Sequence, residues 1–319
     1  MSSPIDEERG RMSIDAAAAQ RFLADQFDPQ VHDVEPAGAG AWSRAFSFRR
    51  GADELIVRFG SHGDDFAKDR RAYRYHAPGL PVPEVLAVGP AFGGFYAISR
   101  RMWGTPLEHV EPAVWYAAIP SVVAMLEGLR LADLSGTTGY GGWDGEGYAA
   151  RPRWSEHLLT VGEDSHTQRT HGWRARLATS AAGKATFDWG IARLVELIDD
   201  TAPRSLIHAD LLNRNVLVYG EAISGVFDWG GAAYGDHLYD LAWFIFWAPW
   251  HPNLDIALLR EALERRWRAV GYWPHNLAAR LSACVLHIGL DHLAYNAFRG
   301  DWKTLEATAE RMRALAGNA

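Results

Sequence analysis

The chain has 319 residues, 48% of them hydrophobic, enough to bury a sizeable core in one large or two closely joined domains. Its 39 acidic residues outnumber 32 basic ones, for a formal charge of -7 without long single-sign blocks, which argues against a nucleic-acid arm or a polybasic membrane anchor and favours a cationic ligand. One cysteine, Cys284, excludes an internal disulfide.

The first 30 residues lack the basic-then-apolar layout of a secretory signal. The longest apolar run, LAWFIFWAPW, is about half the roughly 20 residues that a bilayer helix requires. A soluble, cytoplasmic protein with no membrane partner is expected.

Ser13 can cap a helix over residues 14–27, whose apolar side carries Phe22, Leu23 and Phe27. The small-residue stretch PAGAGAWSRAF then leads into strands near 44–48 and 54–59, followed by a helix over 64–76. Pro81-Val82-Pro83 forces an extended entry into VLAVG, and FYAIS makes a further strand. After Met102-Trp103-Gly104-Thr105-Pro106 the pattern turns helical, over 112–132, 185–199, 238–246, 255–270, 276–298 and 302–315. This shift divides an α+β chain near residue 101, into units 1–101 and 102–319. The glycine-rich run from Ser135 to Arg153 is expected to be a surface loop. Cys284, in LSACVLHIGL, and Trp243, which recurs with Trp247 and Trp250 at near-helical spacing, are expected in the core.

Residues 206–228, LIHADLLNRNVLVYGEAISGVFD, carry the chemistry. NVLVY and AISGVFD are β-branched runs separated by Gly220-Glu221, which suits a two-residue type II′ hairpin. With that turn, Tyr219 opposes Ala222, Leu217 opposes Ser224, Asn215 opposes Val226, and Asp228 follows on the same face. Opposed Cβ atoms lie roughly 5 Å apart and diagonal ones roughly 7–8 Å. A hard cation can therefore join Asn215 to Asp228, while Asp210, on the irregular segment upstream, is free to face an incoming hydroxyl. An acceptor and two metal ligands converging on one point is what a Mg-nucleotide phosphotransferase needs. Neither HExxH nor G-x-S-x-G occurs, so a hydrolase reading has little support.

His208-Ala209-Asp210, Asn215, Phe227-Asp228 and the run from Tyr234 to Ala242 together resemble the signature of the aminoglycoside phosphotransferases. SRAFSF, FAKDRRAYRYHA, LPVPEVLAVG, ISRRMWG and FWAPW extend the likeness over about residues 15–300. The resemblance implies a two-lobed protein-kinase-like fold: a small N-terminal antiparallel sheet lobe that binds nucleotide, and a larger, mainly helical C-terminal lobe with the catalytic loop and substrate site. Asp210 then takes the catalytic role, Asn215 and Asp228 hold Mg2+, and ATP or GTP donates the phosphoryl group.

Where related kinases pair a strand lysine with a helix glutamate, this chain offers Arg58 and Asp69, with Lys68 as an alternative. Ser43 is the candidate phosphate contact of a loop without a full glycine fingerprint. Backbone groups of Ser99, Arg100 and Arg101 are placed near the base. His208 and Asp240 are expected to order the loop. Asp236 more plausibly holds backbone amides than touches substrate, and with Asp144, Glu146, Asp255, Asp291 and Glu306 it completes the acids proposed by region for a cationic aminoglycoside. The fold equally serves small metabolic alcohols such as choline, sugars or amino-alcohols. A catalytically silent binding protein would have no need of all three residues Asp210, Asn215 and Asp228.

Overall fold

The computed structural model describes residues 14–40 and 42–316. Helix α1 (Ala16–Gln26) opens the chain, capped by Asp15, whose carboxylate accepts from Ala18 N at 2.7 Å. Ser13, the expected cap, lies outside the described residues. Five antiparallel strands follow, β1 (His32–Ala39), β2 (Ser43–Arg50), β3 (Asp53–Gly60), β4 (Val85–Ala91) and β5 (Gly94–Arg100), in the order β1-β2-β3-β5-β4. The pleat of β3 sorts its side chains by period two. Leu55, Val57 and Phe59 are buried in a small core beneath α1, where Phe22 meets Phe59 edge to face at 5.4 Å. Ile56 and Arg58 point the other way, into the cleft.

Between β3 and β4 runs α2 (Gly63–Ala72), with Asp64 and Asp65 in its first turn and Arg70 and Arg71 in its last, a layout that complements the helix dipole. The helix expected to reach residue 76 tightens after Ala72 into a 3-10 turn, Tyr73–Tyr75. This helix is the strut between the sheet and the rest of the molecule. Lys68 Nζ donates to Gly230 O at 2.6 Å and to Ala232 O at 3.0 Å. The guanidinium of Arg169 grips Asp64 and Asp65 at 2.8–3.0 Å.

The remainder is built on helices α3 (Pro112–Arg130), α4 (Trp154–Leu159), α5 (Trp173–Leu177), α6 (Ala181–Leu197), α7 (Leu238–Trp247), α8 (Ile256–Ala269), α9 (Leu277–Arg299) and α10 (Trp302–Ala316). Helix α9 is the axis of the large core, packed by α5, α6, α7 and α10, and it ends at Gly300 in a left-handed cap. Both α3 and α9 are long and apolar enough to cross a bilayer, yet half or more of each apolar window is buried inside the fold. Cys284 and Trp243 are core residues, as expected, whereas Trp250 is exposed.

Strands are more numerous here than the pattern suggested. A three-stranded sheet runs β11-β10-β6, from β6 (Thr105–Pro106), β10 (Val216–Tyr219) and β11 (Ala222–Val226). A four-stranded one runs β8-β7-β12-β9, from β7 (Tyr140–Trp143), β8 (Ala149–Arg151), β9 (Arg204–Ile207) and β12 (Ala233–Asp236). The glycine-rich run expected as a loop thus contains β7 and β8. Two of its glycines serve close approach: a Cβ on Gly139 would lie 1.9 Å from Ala149 O, and one on Gly141 2.4 Å from the His157 ring.

At the end of β12, Asp236 and Arg280 of α9 form a buried bidentate pair at 2.7 and 2.8 Å, and Leu238 N caps the same carboxylate at 3.0 Å. Removing one partner strands the other charge in the core. Asp236→Ala is expected to lower unfolding stability by about 3–5 kcal/mol in denaturant titration; a loss under about 1 kcal/mol, the scale of an exposed pair, would contradict this reading.

Candidate active site

The β10–β11 hairpin forms with Gly220 at φ 63° and Tyr219 opposite Ala222, as expected. One bulge then shifts the register: Leu217 opposes Gly225 rather than Ser224, and Val216 opposes Val226. Asn215 accordingly meets Phe227, whose amide donates to Asn215 O at 3.0 Å, one residue further along than the regular ladder gives. Asp228 follows directly, at φ 65°.

The loop from β9 to β10 is locked from beneath. His208 is fully buried, its Nε2 donating to Phe227 O at 3.1 Å and its Nδ1 accepting from Asp210 N at 3.2 Å. Those bonds require a neutral ring protonated on Nε2. Burial pushes its pKa down to about 4, so the neutral form persists at neutral pH. The carboxylate of Asp240 accepts from His208 N at 3.0 Å and from Ala209 N at 2.9 Å, while burial pushes its pKa up to about 7 against those bonds. Ala209 is held at φ 65°, a left-handed conformation that costs a residue with a Cβ about 1–3 kcal/mol.

Asp210 is gripped on both oxygens. Asn215 Nδ2 donates to Oδ2 at 2.9 Å and to the Asp210 carbonyl at 2.8 Å, and Asn213 Nδ2 donates to Oδ1 at 2.6 Å. Burial foremost, with the charges of Asp228 and Glu108, pushes the Asp210 carboxyl up to about 7, and the two amides oppose that shift. Asn215 spends its NH2 on Asp210, so its amide oxygen is left as a ligand atom. The Asp228 carboxylate is half exposed, with Arg58 Nη1 at 3.9 Å. Among the described residues no three His, Cys, Asp or Glu side chains form a closed cage. One amide oxygen and one open carboxylate are an incomplete oxygen set, which fits an ion such as Mg2+ that keeps waters and takes further ligands from phosphates.

Arg58 and Asp69 pair, and Asp69 Oδ1 also accepts from Trp229 N at 2.8 Å, tying the pair to the residue after Asp228. Lys68 is engaged elsewhere, on the carbonyls of Gly230 and Ala232 and 5.1 Å from the Trp143 ring, and burial pushes its pKa down to about 8. A cavity of about 430 Å³ lies between the sheet and the hairpin, lined among others by Ile56, Arg58, Asp69, Ser99, Met102 and Leu217. Arg100 and Arg101 also border it, but their amides are bonded to Glu84 O and Glu54 O at 3.0 and 3.1 Å. A smaller hollow, about 60 Å³, brings Ser43 and Asp65 together with Arg58 and Asp228.

Residues 33–274 match the model of the phosphotransferase enzyme family. The chain belongs to that family. It is 31% identical over 290 residues, 90% of this chain and 81% of the relative, to hygromycin-B 4-O-kinase of Escherichia coli. Crystal structures of aminoglycoside phosphotransferase APH(4)-Ia superpose closely. One, of a thermostable mutant in ternary complex with AMP-PNP and hygromycin B, gives a TM-score of 0.80 at 30% identity over 93% of this chain and 97% of the other. A second gives 0.81 at 30% identity over 94% and 98%. The two-lobed kinase-like fold and the phosphotransferase activity of this family member follow.

The remaining acidic candidates are dispersed over the C-terminal part. Asp236 is committed to Arg280. Asp144 closes its own turn, accepting from Glu146 N and Tyr148 N at 2.9 and 3.0 Å, and Asp255 caps α8 through Leu258 N at 3.0 Å. Glu146, Asp291 and Glu306 are exposed. Asn213, which touches the central carboxylate, was missed by the motif reading, although DLLNRN places it one helical-turn spacing from Asp210.

The buried histidine gives a signed pH dependence. Its pKa is depressed from the ordinary 6.5 to about 4, so its contribution to stability is present above pH 6.5 and lost as pH falls towards 4. His157 and His237, also pushed down to about 4 by burial, add to the same trend. Melting temperature should fall across that window, and His208→Gln should make the fall shallower; an unchanged slope would contradict the assignment.

Proposed function

We propose that this phosphotransferase transfers the γ-phosphoryl group of ATP to a hydroxyl of hygromycin B or a related aminoglycoside, in the cytoplasm, and so confers resistance to the drug. The observation that carries the reading is the convergence of Asp210, Asn215 and Asp228 beside the Arg58–Asp69 pair, in a chain similar along nearly its whole length to a kinase named for that substrate. In this reading residues 1–101 form the nucleotide-binding lobe and 102–319 the substrate lobe, a division supported by the end of β5 at Arg100.

Asp210 orients the acceptor hydroxyl and takes its proton. The substrate oxygen bonds to the γ-phosphorus as the bond from that phosphorus to the β,γ-bridging oxygen breaks, and ADP leaves. A divalent cation on Asn215 and Asp228, when bound, neutralises the charge of the phosphates. Arg58 neutralises further phosphate charge, and its planar guanidinium pairs with Asp69 at the same time, which gives the arginine a defined direction that a lysine would lack. Ser43 borders the phosphate hollow. The base lies against Ser99, Arg100 and Arg101, and because the amides of the two arginines are already bonded, Met102 supplies the next amide in the chain. Positioning and charge neutralisation account for most of the rate, and no phosphoenzyme is required.

Incubation with MgATP and hygromycin B should give ADP and singly phosphorylated drug by mass spectrometry; no product across an aminoglycoside panel would overturn the substrate. Asp210→Ala should lower kcat by roughly 10²–10⁴-fold with nucleotide affinity nearly intact. Asp228→Ala should instead abolish the magnesium dependence of nucleotide binding in calorimetry. Unchanged behaviour in either variant would remove that residue from its role.

A further inference from the structure

We infer that Asn213 is a positioning residue for the transfer step, holding the Asp210 carboxylate so that its accepting edge meets the incoming hydroxyl. The inference rests on the function proposed above and adds a residue to it. A carboxylate turns about its own Cβ–Cγ bond, and one anchor leaves that rotation free. The Asn215 amide anchors Oδ2 at 2.9 Å, and the Asn213 amide anchors the other oxygen, Oδ1, at 2.6 Å. Together they define the carboxylate plane, and each anchored oxygen keeps a second lone pair for the substrate proton.

Backbone geometry supports the same assignment. Asn213 sits at φ 61° and Arg214 at φ 69°, two consecutive left-handed residues, with the Arg214 amide tied to the Glu108 carboxylate. Asparagine is among the few residues with a Cβ that adopt this conformation readily. Its side chain is exposed, so no core packing accounts for it. The turn delivers a donor to the acceptor from three residues along the loop.

The decisive substitution is Asn213→Asp, which keeps shape and left-handed tolerance but replaces the donor facing Oδ1 by a like charge. Asn213→Gly removes the side chain and keeps the backbone conformation. With MgATP and hygromycin B, Asn213→Gly is expected to lower kcat about 10-fold and Asn213→Asp about 100-fold or more, a tenfold step being about 1.4 kcal/mol of barrier. KM for MgATP and the melting temperature should stay close to wild type. A wild-type kcat within threefold in both variants overturns the inference. So does a loss that tracks melting temperature or appears in KM alone. Absence of activity in the unmodified chain instead removes the parent reading, so the two failures are separable.

Discussion

The site depends on one buried carboxylate. Asp240 accepts the consecutive amides of His208 and Ala209, and this pair of bonds holds Ala209 in a conformation its Cβ disfavours. Without those bonds the left-handed strain at Ala209, the residue before Asp210, would go uncompensated. His208 adds a second constraint, because its ring bonds the Asp210 amide on one side and Phe227 O on the other, joining Asp210 to the segment that leads from β11 into Asp228. The cost of burying Asp240 is offset only while both amides remain in place. The arrangement is therefore cooperative.

The same economy appears across the cleft. Asp69 is shared between Arg58 and the amide of Trp229, so a single side chain of α2 couples the sheet to the loop beyond Asp228. Lys68 beside it holds two further carbonyls of that loop, those of Gly230 and Ala232. Any shift of α2 therefore moves Arg58 and the Asp228 loop together. Phosphoryl transfer asks for this kind of preorganisation, since little covalent chemistry falls to the protein.

Much of this was legible in the chain. The family resemblance pointed to Arg58, and in the structure it lies on the face opposite the buried Leu55, Val57 and Phe59, while Gly220-Glu221 marked the hairpin. The bulge that moves Asn215 opposite Phe227 was not legible, because period-two reasoning counts residues evenly and a bulge breaks the count. Glycine richness concealed β7 and β8: Gly139, just before β7, is imposed by the approach of Ala149 O, and Gly141 within β7 by the His157 ring, contacts that no local pattern announces. Asp236 was expected to hold backbone amides, and it does accept from Leu238 N, but its main partner was not legible. Its partner Arg280 lies 44 residues away, beyond the reach of any local pattern.

A crystal structure of the chain with Mg2+ and a non-hydrolysable ATP analogue tests the central claim most directly. The account predicts a cation at about 2.0–2.1 Å from the Asn215 amide oxygen and the Asp228 carboxylate, with phosphates beside Arg58 and the base against Ser99. A nucleotide bound elsewhere, or a cation that touches neither residue, would contradict it.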